Sequence, residues 1–387
     1  MSEPATDRVG EPTLDYGRGE AVVDLAAIGA NVDALRDRLA PGAKLMAVVK
    51  ADAYGHGLGP VARTVVEHGA VALGVATLSE GLAAQALGLG VPVIAWLWTP
   101  QQDPGPAVAA GVHLGVSSRA LLDALLATPD AGGNGHPIPV HLKVDTGLGR
   151  NGAVAPEWPD LFAAAAAAEL AGRIAVVGLM SHFASADVPD DPSVAGQTSA
   201  FRAAIDAAQV AGLRPRWRHL ANTPAVLDHP DTHFDLVRAG IGVYGISPVE
   251  DPGGLRPAMT LRSRVALTKR VPADSGVSYG LTYRTSAETT LALVPLGYAD
   301  GIPRHASNAA EVLLRGKRRR IAGRVAMDQF VVDVGDDDVR AGDEVVLFGP
   351  GDRGEPTADE WAAACGTISY EIVTRISPRV PRRYVGG

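Results

Sequence analysis

Cysteine is all but missing from this chain: Cys365 stands alone. A single thiol excludes an internal disulfide, a zinc site built on cysteines and a cysteine-held iron–sulfur cluster. The neighbouring Ala362, Ala363 and Ala364 suggest a buried packing residue rather than a nucleophile. Long apolar runs are missing too, and the most apolar stretch, 91–98, is far too short to span a bilayer. Residues 1–20 lack the basic start and apolar centre of a signal peptide. There is no surplus of positive charge: 35 Lys and Arg face 43 Asp and Glu, a net of −8. That balance argues against a dedicated binder of nucleic acid or of anionic membranes. The one basic run, Lys317 to Arg320, follows Gly316 and reads as a solvated hairpin. With 45 Gly and 28 Pro the chain stays below the share at which disorder is the default. The expectation is a soluble, cytoplasmic protein.

What the chain does have is apolar material in short, regular portions. Apolar residues are 47% and charged residues 20% of 387, enough for a large core and more than one small domain. From about Lys44, short apolar runs alternate with longer helical patterns, as in repeated βα units. Eight runs read as strands: 45–49, 72–76, 93–97, 112–116, 140–144, 174–179, 217–220 and 234–237. Asp24, Ser79 and Ser118 are candidate N-caps for helices over 25–39, 80–86 and 119–127. Most of the strand runs are apolar throughout, as parallel strands covered on both faces require. Eight such units favour a TIM-type (β/α)8 barrel, with a doubly wound sheet as the alternative.

The texture changes near Asp251, where Pro252, Gly253, Gly254 and Pro257 mark a linker. Beyond it alternating strands are expected at 259–271, 290–295, 311–314, 329–334 and 344–348, with one helix at 357–364. The expected organisation is a flexible extension over 1–20, a barrel over 21–255 and a mainly antiparallel β domain over 256–387. The strand at 21–24 suits either domain.

In a barrel, chemistry gathers at the C-terminal ends of the strands. Here those ends carry Lys50, then Lys143 and Asp145, then His182, then His219 and Asn222, then Arg238, each after an apolar run. Five strands ending in ionisable or amide groups point to one polar mouth. A lysine inserted into a closed site is partly desolvated, which frees its amine for Schiff-base chemistry. Lys50 opens the segment Lys50-Ala51-Asp52-Ala53-Tyr54-Gly55-His56-Gly57, and a helix starting near Gly59 would suit an anion. A lysine beside an anion site points towards pyridoxal 5'-phosphate. The segment Asp228, His229, Asp231, His233, Asp235 contains Pro230 and matches no helical ligand spacing, so no metal is expected. Trp96 and Trp98 fall on one strand face and read as packing.

The Lys50–Gly57 segment resembles the cofactor-lysine motif of bacterial alanine racemases, which are fold-type III pyridoxal-phosphate enzymes. Further matching segments follow in family order: 141–150, 181–184, 219–223, 237–241, 277–280, 297–301 and 327–329. The resemblance runs from Ala21 to Tyr384 and implies an N-terminal eight-stranded barrel with a C-terminal β domain. It implies that Lys50 carries the cofactor and serves as one of two bases. Tyr54, Thr223, Tyr370 and the backbone of Gly240 and Ile241 would bind the phosphate, with Asn222 in the same site. Arg238 would donate to the pyridine nitrogen, with His219 behind it. A guanidinium keeps its proton there, so the ring would be a weaker electron sink. Arg150 and the backbone of Met327 would hold the substrate carboxylate, and Lys143 would be carbamylated to pair with Arg150. Tyr279 would be the second base, with His182 in its hydrogen-bond chain. Tyr298 would either line the substrate entrance or simply cap a strand.

Four positions depart from the pattern. Thr223 stands where serine is usual and keeps the hydroxyl, Ala326 replaces a cysteine of some members, and Leu148 and Asp52 are mild variations. The implied activity is interconversion of L-alanine and D-alanine by a homodimer with shared sites, supplying D-alanine for peptidoglycan precursors. A broader amino-acid racemase, for serine or basic residues, shares the scaffold. A non-catalytic pyridoxal-phosphate carrier lacks the β domain, and a fold-type III decarboxylase would put an acid at the ring nitrogen.

Overall fold

The computed structural model describes residues 17–128 and 136–387. Of the expected N-terminal extension, residues 1–16 lie outside these. Strand β1 (Gly19–Asp24) leads into the helix Leu25–Asp37. Eight strands then alternate with helices: β2 (Lys44–Val48), β3 (Ala72–Val75), β4 (Val93–Ala95), β5 (His113–Val116), β6 (Ile138–Lys143), β7 (Ile174–Met180), β8 (Trp217–His219) and β9 (Leu236–Ala239). Their order is β8-β7-β6-β5-β4-β3-β2-β9, every pairing parallel. The two end strands meet where Asp235 N–H reaches Arg218 O at 3.1 Å and Arg238 N–H reaches Ala221 O at 2.9 Å. The sheet thus curls into a TIM-type barrel. Met46, Ala72, Ile94, Trp217 and Leu236 pack together inside it, with Met46, Ile94 and Leu236 each contributing about 1.5–3 kcal/mol.

Several expected boundaries move, each for a local reason. The last barrel strand begins at Leu236 rather than residue 234, because Phe234 has a φ of 48° and cannot continue a strand. Arg238 therefore sits inside β9. The helix expected from Ser79 is Leu78–Gln85, capped by Thr77, whose hydroxyl and the Glu80 carboxylate bond each other's backbone amides. Trp96 and Trp98 lie just beyond β4, and Trp98 Nε1 donates to Gly115 O at 2.8 Å.

The second compact unit takes its described residues from 17–27, together with Tyr54–Gly57 and Arg256–Gly387. Its strands are β1, β10 (Met259–Arg264), β11 (Leu267–Val271), β12 (Gly276–Val277), β13 (Tyr283–Arg284), β14 (Thr289–Val294), β15 (Glu311–Leu314), β16 (Lys317–Arg320), β17 (Phe330–Gly335), β18 (Glu344–Phe348) and β19 (Arg382–Val385). A six-stranded sheet runs β16-β15-β18-β10-β1-β19, antiparallel except for the β1–β19 pair. The others are β11-β14-β17 and β12-β13, both antiparallel. The single strand expected at 259–271 is two. Val265 N–H bonds Asp343 O and Ala266 N–H bonds Leu293 O, which hands the chain from one sheet to another. The basic run forms β16, where Lys317 and Arg319 pair with Asp337 and Arg318 with Glu360. Cys365 ends the helix Ala358–Cys365 and is half-buried rather than enclosed.

Candidate active site

Lys50 follows β2 at the C-terminal end of the barrel strands. Its amine is shifted below the usual lysine value because burial, then Arg150, oppose its charge; Glu80 works against this and Arg238 adds to it. After Lys50 the backbone takes an unusual course. Ala51, Asp52, Ala53 and Tyr54 all have a φ of 53°, a turn of left-handed helix without glycine. Such residues cost about 1–2 kcal/mol each relative to the right-handed form. Two carboxylates hold the turn in place. Glu80 Oε1 accepts the Ala51 N–H at 2.7 Å, and Asp52 Oδ1 accepts that of Leu58 at 2.7 Å.

Arg238 is the hub of the barrel mouth. It is buried, and burial lowers its guanidinium to about 10, so it stays charged at neutral pH. Nη1 donates to His219 Nδ1 at 3.1 Å and His219 O at 2.7 Å. Nη2 donates to Ser181 O at 2.5 Å, Leu220 O at 3.1 Å and His182 Nδ1 at 3.2 Å. None of these bonds uses Nε. Arginine only donates, so both imidazoles accept at Nδ1 and carry their proton on Nε2.

Burial, followed by Arg238, Arg150, Lys143 and Lys50, drives His182 far below the usual histidine range. Two arginines and two lysines therefore all oppose a charge on this imidazole. Lys143, the last residue of β6, falls to about 8 through burial and the charges of Arg238 and Arg150, with Asp145 opposing them. Its Nζ donates to Asn151 O at 2.5 Å. The Asp145 carboxylate is spent on the loop that follows, accepting the amides of Gly147, Leu148 and Gly149 at 2.8–3.2 Å. Arg150, at the end of that loop, is exposed and enters none of the described ion pairs. The cluster is short of anions.

A cradle of polar backbone lies on the same barrel. Thr223 is buried and its Oγ1 accepts the amides of Gly240 at 3.0 Å and Gly242 at 3.3 Å. The Gly240 amide, expected to face a ligand, is thus directed at Thr223, and the Ile241 amide takes part in none of the described backbone bonds. A Cβ on Gly242 would come within 2.6 Å of Thr223 Cγ2, so only glycine leaves this corner open. Asn222 caps the short helix Thr223–Asp228 by accepting the Ala225 amide at 3.3 Å.

The second unit carries the remaining expected residues. Tyr54 and Tyr370 face each other with ring centres 6.3 Å apart, and burial, then Tyr370, push the Tyr54 phenol up. Tyr298 and Met327 are brought together by two backbone bonds, Tyr298 N–H to Ala326 O at 3.0 Å and Ala299 N–H to Met327 O at 2.9 Å. Asp300 anchors that corner, buried against Arg18 and Arg379. Tyr279 is 70% exposed and borders a groove of about 470 Å³ lined also by Leu267, Leu291, Leu293 and Phe330.

Glu80, whose capping-box spacing from Thr77 is visible in the sequence, and His141, bonded to His219, join the expected residues of the barrel. No group of metal ligands occurs among the described residues. In the acidic segment, His233 bonds Ala40 N–H and Ala225 O, and Asp235 pairs with Arg218 at 2.6 Å.

Comparison with known proteins extends the reading. Residues 23–248 match the family described as "Alanine racemase, N-terminal domain" and residues 258–384 "Alanine racemase, C-terminal domain". The chain is 58% identical to the alanine racemase of Frankia casuarinae, over 98% of its own length and 99% of the relative's. It is similar to the crystal structure of alanine racemase from D-cycloserine-producing Streptomyces lavendulae, with a TM-score of 0.93 and 53% identity over 96% and 98% of the two chains. The Bacillus anthracis alanine racemase with bound L-Ala-P aligns with a TM-score of 0.89 at 35% identity, over 97% of each chain.

Proposed function

The chain belongs to the alanine racemase family, and on that premise we propose that it is a cytoplasmic homodimeric isomerase that interconverts L-alanine and D-alanine with pyridoxal 5'-phosphate as cofactor. Its product would be D-alanine for peptidoglycan precursors. The observation that carries this reading is the anion-poor cluster of Lys50, Lys143, Arg150 and Arg238 around His182. A phosphorylated cofactor and a substrate carboxylate supply the negative charge that the cluster lacks.

The residues present fit the cofactor. Lys50 offers a desolvated amine to hold it. Thr223, Ile241, Asn222, Tyr54 and Tyr370 offer neutral donors for its phosphate, and Arg238 has its Nε–H left for the ring nitrogen, with His219 behind. When bound, the cofactor withdraws electrons so that the amino acid's α-proton becomes removable. The proton movements belong to the protein. Lys50 Nζ, whose charge is opposed by burial and by its arginine neighbours, accepts or returns the proton on one face of the substrate. The Tyr279 hydroxyl does so on the other, because one base cannot serve both faces of a planar carbon. His182, its proton on Nε2, would donate towards that second base. Arg150 and the Met327 amide hold the carboxylate, Tyr298 lines the approach, and a carbamate on Lys143 would give Arg150 its counter-charge. Arg238 at the ring nitrogen disfavours the decarboxylase reading, which needs an acid there.

The test is a rate assay on purified protein with L-alanine, L-serine and L-lysine. D-alanine formation at a kcat/KM well above the other two is expected. Comparable rates with serine would make it a broader racemase, and no turnover of any would end the reading.

A further inference from the structure

Behind Arg238 a line of imidazoles runs down the barrel interior. His219 ends β8, His141 lies in β6 and His113 opens β5. Arg238 Nη1 meets His219 Nδ1 at 3.1 Å, His219 Nε2 meets His141 Nδ1 at 2.9 Å, and His141 Nε2 meets His113 Nδ1 at 3.2 Å. His141 and His219 are fully buried, and His113 is half-buried. The strands make room for the line. A Cβ on Gly178 of β7 would run into His141 Nδ1, and Trp217 lies with its ring centre 6.0 Å from His141 and 6.5 Å from His113.

Arginine cannot accept a hydrogen bond, so the first link has one polarity only. His219 Nδ1 accepts, which puts its proton on Nε2. That proton makes His141 Nδ1 an acceptor, and the same logic passes to His113. We propose that His219, His141 and His113 form a one-directional column of neutral imidazoles, all protonated on Nε2, that positions the Arg238 guanidinium for its work in the site. His141 and His113 are thereby positioning residues that act through Arg238. Burial is the first cause lowering all three rings, His113 to about 4, which agrees with a column that carries no charge. An apolar barrel core would need none of these hydrogen bonds. Two fully buried imidazoles and a half-buried third, hydrogen-bonded in line, are retained at a desolvation cost that a directional task offsets.

The inference rests on the role of Arg238 given above, but its first test does not. Holoenzyme with 15N-labelled histidine, examined at neutral pH, shows by long-range 1H–15N correlation which ring nitrogen of each histidine is protonated. Couplings across N–H···N bonds link the rings in order without any substitution. Three linked rings, all Nε2–H, are expected. A ring in that line with its proton on Nδ1, or on both nitrogens, overturns the proposal. The second test compares His141→Leu, which leaves the His219 Nε2–H unpaired, with His141→Asn, which keeps an acceptor there. The leucine variant should lose about tenfold in kcat, with KM for alanine little changed and the cofactor absorption band shifted. The asparagine variant should recover most of both. Wild-type kcat and spectrum in the leucine variant, or equal losses in both variants, would show that the column does not act through Arg238. A correct column in a protein that turns over no amino acid would instead overturn the functional reading alone.

Discussion

Arg238 is the most densely bonded side chain at the barrel mouth, its charge buried and both terminal nitrogens engaged. Replacing it with glutamate would put an acid where a permanent cation stood, so the ring nitrogen would gain a proton. Racemisation of Arg238→Glu should fall at least a hundredfold while transamination, measured as pyruvate released from alanine, rises above that of the wild type. A fall in racemisation without any pyruvate would make Arg238 purely structural. Lys143 offers a pH test. Its folded value, about 8, is below its ordinary 10.5, so between them the unfolded chain binds the extra proton. Stability should therefore rise as pH increases through that window, with the burial penalty fully present below it. Lys143→Met should flatten the rise. Bicarbonate should raise the Tm of the unmutated protein but not of Lys143→Met; an equal response in both would remove the carbamate. Most of these residues were legible because an ionisable group closing an apolar run is conspicuous. His141 was not, since a lone histidine inside a strand usually only packs, and Glu80 was not, since it works through backbone amides.

Among the elements, the turn after Lys50 was invisible to sequence reasoning. Ala51, Asp52, Ala53 and Tyr54 include no glycine to announce a positive φ, and only the surrounding bonds impose it. Ala51 is exposed, so Ala51→Gly changes the backbone preference and little else. That variant should gain up to about 1 kcal/mol, the left-handed penalty less the entropy cost of glycine. A Tm raised by a few degrees checks it, and an unchanged or lower Tm would mean the turn carries little strain. The eight barrel strands were each placed within a few residues because their apolar runs are bounded by turn residues. The break between β10 and β11 was not, because alternation continues through it while the hydrogen-bond partners change sheet. Which sheet a strand joins is a tertiary outcome that a period of two does not encode.

For the molecule as a whole, the proposed pair of bases sets the assembly. Tyr279 stands exposed beside an apolar groove, the condition of a residue that a second copy would cover. If the partner supplies it, Lys50→Ala and Tyr279→Phe should each be nearly inactive alone. An equal mixture, after subunit exchange, makes about half the dimers hybrid, each with one intact site, so about a quarter of wild-type activity should return. No recovery after confirmed exchange would assign both bases to one chain. The division into a barrel and a β unit was legible from the change of texture near Asp251. That residues 54–57 cluster with the β unit was not, since no composition shift marks them.

The place of β1 has a consequence for how the protein is made. Its neighbours are β10 and β19, so the earliest described strand is flanked by two of the late ones. A ribosome that has just finished β9 has made every strand of the barrel, which can begin to close once β9 leaves the exit tunnel. Strand β1 can pair with β10 once Met259–Arg264 is made, but its other edge must wait until translation reaches Arg382–Val385, on the order of ten seconds at 5–20 residues per second. During that interval Gly19–Asp24 keeps one open edge, exposed to chaperones and to mispairing. A nascent chain stalled after β18 should therefore show weaker protection of β1 from protease than of the barrel, and synthesis through β19 should remove the difference.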